Sequence, residues 1–206
     1  MRPRQSRLVC SHLTQAGFSL VEVAIVAAIV LLVAIIGIPA IGNYVIEHKV
    51  PKVGEALQRF AIRTKINGQG GGATPYLGID TTALALAMRD NSVFDVSGSG
   101  ASSVVAHGLG GRGMAGDGVV TLTPVSLDGI GAGAAFSLTL TNVSHIACPG
   151  IASVMQSVSA RIGLTAAGGA QVVKDATASP AVPYSASRTA NICAPGDVNT
   201  FVFTIR

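Results

Sequence analysis

Tryptophan is absent from this 206-residue chain, aromatic residues make up 4% of it, and charged residues only 12%. Each shortage removes a class of function. Nucleic-acid surfaces need clustered Lys and Arg on one face. No basic cluster with interleaved aromatics occurs beyond the first few residues, so nucleic acid is not expected as a partner. The acids are single and separated, which leaves no carboxylate pair for acid–base chemistry. His12, His48, His107 and His145 are scattered, without the spacing to Cys, Asp or Glu that a metal set needs. The motifs H-E-x-x-H, paired C-x-x-C and G-x-S-x-G are all missing. Gly110-Gly111-Arg112-Gly113 lacks the Lys-Ser/Thr and the strand-to-helix setting of a phosphate loop, and reads as surface. No catalytic residue, cofactor or metal is expected, and the chain does not read as an enzyme.

Cysteine is also scarce. Cys10 lies in a basic N-terminal stretch, which leaves Cys148 and Cys193 as an even pair. In an oxidising compartment such a pair fits a disulfide. Two unrelated buried thiols are the other reading. The net charge of +4 is equally local: Arg2, Arg4 and Arg7 supply three of the positive charges, and no acid precedes Glu22.

What the chain has in abundance is aliphatic surface near its start. Val23 to Gly42 contains no charged residue over twenty positions. As a helix at about 1.5 Å per residue this covers about 30 Å, the thickness of a hydrocarbon core. The basic residues before it favour a cytoplasmic N-terminus. An ordinary signal peptide has a shorter apolar core and a small-x-small cleavage site beyond it; Ala40-Ile41-Gly42 could serve as that site. Gly17-Phe18-Ser19-Leu20-Val21-Glu22 points elsewhere. It places one carboxylate at the mouth of the apolar run, and an intramembrane charge costs ~2.5–3.5 kcal/mol at a helix centre.

Those six residues resemble the prepilin peptidase signal of type IV pilins and the related pseudopilins. The resemblance implies cleavage between Gly17 and Phe18, on the cytoplasmic side, with retention of the apolar segment. It further implies methylation of the new amino group on Phe18, and pairing of that group with Glu22 during assembly. The expected product is a structural subunit, the major pilin of a homo-oligomeric helical filament serving adhesion, aggregation or conjugation. A minor pilin or secretion pseudopilin is the alternative, and a secreted binding domain behind an ordinary signal peptide is a further one. Implied partners are the prepilin peptidase and the inner-membrane pilus assembly machinery. The expected location is the inner membrane as a single-pass precursor, then an extracellular pilus. The two-cysteine domain and the helix after Cys148 look more like the type IVb branch, whereas Phe18 is the residue usual in type IVa.

Gly37, Pro39 and Gly42 interrupt the apolar run with poor helix formers. Transmembrane helices tolerate both residue types; the resemblance adds the reading that this stretch loosens on assembly. Beyond it, Ile46, Val50, Val53, Leu57 and Phe60 recur at helical spacing, so one helix is expected from about residue 19 to 65, with Pro51 kinking it. Asp80 predicts a capped helix over 81–89, and 97–118 reads as loop. Strands are expected at 119–122, 136–140, 171–174 and 200–205, the last being the strongest strand pattern in the chain. Pro149 can open a helix with an apolar face through Ile151, Val154, Met155, Val158 and Ile162, ended by Gly163. The fold class is therefore α+β: a long N-terminal helix, half membrane-spanning and half amphipathic, on an antiparallel sheet with short additional helices. The expected divisions are a cleaved leader over 1–17, the helix over 18–66 with its membrane half at 18–42, and a head domain over 67–206.

Overall fold

Ser19 opens the first helix. Its hydroxyl accepts from the Val21 N–H at 3.3 Å and its carbonyl accepts the first helical bond, from Val23, at 3.1 Å. The computed structural model describes residues 19–206, apart from the side chains of 39 and 40. The helix, α1, runs Leu20–Gly68 and contributes to two units divided between Ile41 and Gly42. In the first unit the apolar residues stand exposed on every side, as from Leu31 to Val33 and at Ile35, Ile36 and Ile38. α1 is long and apolar enough there to cross a membrane.

In the second unit α1 changes character. Val50, Val53, Leu57 and Phe60 are buried, three or four residues apart, with Ala61 buried beside them, and Lys52, Glu55, Arg59 and Arg63 take the exposed positions. Glu55 and Arg59 form an exposed i,i+4 ion pair. Asp80 caps α2 (Thr81–Met88) by accepting from Ala83 N–H at 3.1 Å. Strands β1 (Asp95–Ser97) and β2 (Val104–Ala106) pair antiparallel as a separate small ribbon. The expectation of loop throughout 97–118 is thus corrected: β2 and a short 3-10 turn at Gly100–Ser102 lie inside it. Three-residue strands carry too little alternation to register as a pattern.

The main sheet is antiparallel with five strands in the order β3-β4-β7-β5-β6, formed by Val120–Val125, Ala135–Ser144, Asp197–Ile205, Arg161–Ala166 and Gly169–Asp175 respectively. The strand formed last in the chain is central. Phe201, Phe203 and Ile205 alternate onto one face and are fully buried. Register places Phe203 between Leu138 of β4 and Ile162 of β5, and Phe201 between Leu140 and Leu164. Together with the buried α1 stripe, these residues make one core.

The helix expected after Cys148 is shorter than its apolar pattern suggested. α3 is Cys148–Met155, and Ile162 and Gly163 belong to β5. Three side chains take the carbonyls at the end of α3. The Gln58 amide donates to Val154 O, the Ser159 hydroxyl to Met155 O at 2.8 Å, and the Lys174 ammonium to Gln156 O. The alternation of Ile162 and Leu164 then matches the spacing of the central phenylalanines. α4 (Ala186–Ile192) lies in a segment left unassigned from the sequence, capped by Ser185.

α3 crosses α1 closely because two glycines face two valines. A Cβ on Gly54 would lie 2.5 Å from Val154 Cγ1, and one on Gly150 would lie 3.0 Å from Val50 Cγ1. We predict that Gly54→Val overpacks this crossing and costs roughly 1–3 kcal/mol. Val154→Ala in the same chain should restore part of the loss. Urea unfolding of the single and double variants checks this, and an unchanged midpoint for Gly54→Val would contradict it.

Candidate functional site

The assembly residues expected from the sequence fall in three places. Gly17 and Phe18 lie outside the described residues. Glu22 is exposed in the first turn of α1, three positions after Ser19. There a carboxylate faces the positive end of the helix macrodipole, a favourable placement of about 0.3–1 kcal/mol at an exposed terminus. Among the described residues the four ion pairs are Arg59–Glu55, Arg112–Asp117, Arg161–Asp175 and Arg206–Asp128, and none involves Glu22. Around it the apolar positions stand open: Leu20 is 90% exposed and Ile38 71%, where Val53 and Leu57 further along the same helix are at 0%. That contrast marks the apolar stretch from Leu20 to Ile38 as a surface that needs a partner medium.

Gly37, Pro39 and Gly42 all lie inside helix assigned without a break from Leu20 to Gly68. A Cβ on Gly37 or Gly42 would meet nothing within 4 Å. Neither glycine is therefore required by packing in the isolated chain. Pro39 has no N–H to donate to the carbonyl four residues back, which weakens the ladder there.

Cys148 and Cys193 are joined as a disulfide, with Cα atoms 6.1 Å apart and a sequence separation of 45. Cys148 opens α3 and Cys193 follows α4. The bridge sits beside the end of the central strand pair, where Ser144 of β4 is matched to Asp197 of β7. Buried Asn199 works at the same corner. Its amide nitrogen donates to Val143 O (3.0 Å) and Ala194 O (2.9 Å), and its oxygen accepts from Ala194 N–H (2.8 Å). The Tyr184 hydroxyl meets Ser153 Oγ at 2.9 Å, a further tie to α3.

A polar cluster that sequence reading passed over lies under the glycine-rich loop after β2. His107 is fully buried, with Nε2 2.9 Å from Thr141 O and Nδ1 accepting the Leu109 N–H at 3.0 Å. Burial lowers its pKa, against opposing pulls from the Thr141 carbonyl, Asp197 and Asp117. Asp117 accepts from Arg112 Nε (2.8 Å) and Asn142 Nδ2 (2.7 Å), and these bonds hold its carboxyl below the usual range. Arg112 is otherwise exposed, in keeping with a surface loop. For Asp175, burial raises the pKa but is outweighed by bonds from the Thr177 hydroxyl and N–H and the Ala178 N–H, so its net shift is downward. In the sequence His107 is one histidine before a glycine run, with nothing to distinguish it from His48 or His145.

No cluster of three or more His, Cys, Asp or Glu able to hold a metal occurs among the described residues. What the geometry defines is an α+β protein with an apolar helical segment exposed at one end and a disulfide-fastened domain at the other end of the chain. No family model and no curated protein matches the chain. Among solved structures, a crystal structure of a type IV b pilin from Salmonella typhi aligns at 22% identity and a TM-score of 0.47, covering 74% of this chain and 94% of that one. Neither value is high enough to carry a role across.

The bridge gives a direct test of what holds the corner together. Closing a loop of this length stabilises the fold by about 4 kcal/mol on the chain-entropy account. Reduction, or the double substitution Cys148→Ala/Cys193→Ala, should lower the unfolding free energy by that order, read as a fall in the urea midpoint at unchanged slope. A midpoint unaltered by reduction would show that Asn199 and the strand pairing suffice alone.

Proposed function

We propose that the chain is a structural subunit of a type IV pilus-like filament, a major pilin serving adhesion, aggregation or conjugation. On this reading a prepilin peptidase cuts between Gly17 and Phe18, and residues 18–42 anchor the precursor in the inner membrane. The inner-membrane assembly machinery then packs copies of that segment into a helical homo-oligomer outside the cell. The observation that carries the proposal is the exposed apolar surface of residues 20–41 with Glu22 at its mouth. Such a surface is stable in lipid or against other copies of itself, and unstable in water. The resemblance of residues 17–22 to the prepilin signal supports the same reading.

Cleavage creates an α-amino group on Phe18, one helical turn from Glu22. A carboxylate paired with that cation, in the same chain or in a neighbour, can be buried where an unpaired one cannot. An intersubunit pair would also fix the axial register of packed helices. Gly37, Pro39 and Gly42 fit a segment that loosens as the helices pack.

A second reading is favoured by one observation. The boundary between the two units falls between Ile41 and Gly42, beside the small-x-small sequence Ala40-Ile41-Gly42. A secreted domain released by ordinary signal peptidase would begin near Asn43. N-terminal sequencing of the processed protein separates the two. Phe18 as first residue is expected, and Asn43 would overturn the filament proposal. We further predict that Glu22→Ala is exported and cleaved at Gly17 yet yields few or no sheared surface filaments. Filaments at the normal level would remove Glu22 from the assembly mechanism.

A further inference from the structure

We propose that the segment from His107 to Asp117 is a pH-sensitive latch on the β4 bulge, where the pairing of β4 with β7 shifts register between Leu140 and Ser144, closed by the neutral His107 ring and released when that ring takes a second proton. The geometry fixes the tautomer. Leu109 N–H donates to Nδ1 at 3.0 Å, so Nδ1 carries a lone pair and the ring proton sits on Nε2, 2.9 Å from the Thr141 carbonyl. A second proton must go to Nδ1. It would then point at the Leu109 N–H, turning a hydrogen bond into a donor–donor contact inside a fully buried site.

The neighbouring contacts make the segment respond as a unit. The other backbone group of Leu109, its carbonyl, accepts from Ser144 N–H at 2.8 Å. Gly110 lies so close to the strand that a Cβ there would be 2.5 Å from Ser144 N and 2.6 Å from Asn142 O. Its φ of +142° also belongs to the range that favours glycine. The Gly111 N–H donates to Asp197 at 3.0 Å, and Asp117 holds Asn142, whose own φ is +53° at the bulge. With so little clearance, Leu109 cannot move off the ring without disturbing Gly110 and Ser144.

The charged groups around the ring come from four sources. Asp197 on β7 and Asp117 on the loop favour a protonated ring. Arg112 is engaged with Asp117. Lys49 of α1 comes within 3.2 Å of the space that a Cβ on Gly108 would fill, on the outer side of the same segment. Burial outweighs the two aspartates, so the closed segment binds the proton less readily than the open one. By linkage the closed state is fully stabilised above about pH 6.5, the ordinary histidine value, and loses that stabilisation as pH falls toward the lower value of the buried ring.

The test uses the full chain in detergent micelles. Ring ¹⁵N shifts of His107 at pH 7.5 are expected to show protonated Nε2 and bare Nδ1. Hydrogen exchange at the Leu109 amide, corrected for intrinsic rate, should rise about tenfold between pH 7.5 and 5.5, given an open-state pKa near ~6.5. Amides of Leu138 and Phe203 in the central ladder should not follow. His107→Gln, which cannot take a proton, should abolish the rise, whereas Asp117→Asn should keep it. Protonated Nδ1 at pH 7.5, a flat Leu109 profile, or an equal rise in His107→Gln would each overturn the latch. Should His107→Gln fail to fold, the ring shifts and the Leu109 profile of the unaltered chain decide the matter.

Discussion

A helix with apolar side chains on every face cannot bury itself, and this constraint governs the N-terminal part of the chain. Beyond Glu22, residues 23–38 offer no polar face to turn toward water, so the helix there calls for an apolar medium. The same helix beyond Gly42 meets the opposite demand. Its buried stripe at Val50, Val53, Leu57 and Phe60 is narrow, and the cations Lys52, Arg59 and Arg63 keep the remaining face wet. One helix, from Leu20 to Gly68, thus carries two kinds of surface, and what changes between them is the periodicity and charge of its side chains.

The domain has its own dependence, on the last strand. β7 lies at the centre of the sheet, so the order β3-β4-β7-β5-β6 is incomplete until the end of the chain pairs with residues more than fifty positions earlier. The disulfide and Asn199 act where that long-range pairing begins. Cys148 shortly follows β4, Cys193 shortly precedes β7, and Asn199 ties Val143 to Ala194. Covalent linkage and a fully satisfied buried amide thereby select one register for β4 and β7. The phenylalanines at 201 and 203, with ring centroids 5.3 Å apart, then fit between the leucines of β4 and the Ile162 and Leu164 side chains of β5.

The parts legible in the sequence were those with strong periodicity or strong punctuation. The α1 stripe, the Asp80 cap and the terminal strand all follow from local spacing and match the structure. The failures share a cause. Ile162 fits both a helical series from Ile151 and a strand alternation with Leu164, and only the far-off partner Phe203 decides between them. β1 and β2 are too short for a period to show. α4 is made of Ala, Ser, Arg, Thr, Asn and Ile, which lack an apolar face, and the disulfide and the Ser185 cap hold it. His107 was illegible because its partners are backbone groups of Leu109 and Thr141, and no side-chain motif encodes them. Of the assembly residues, Glu22 stood out by being a lone charge, which is a signal of cost and needs no tertiary information.

That cost changes with location, and the change bears on how the proposed assembly would discriminate. On the proposed membrane-anchored reading Glu22 would stay near the headgroups, and its position in the first turn of α1 gives it about 0.3–1 kcal/mol from the helix dipole. Moved into the interior of a bundle of apolar helices, the same carboxylate faces ~2.5–3.5 kcal/mol or more, which the dipole alone does not offset. A cation is then required, and none of the four ion pairs among the described residues involves Glu22. The amino group released on Phe18 by the proposed cleavage meets that requirement and does not exist before the cut. The energetic gap between the two locations would therefore admit processed subunits to the filament and hold back uncut ones, with Glu22 sensing whether cleavage has occurred.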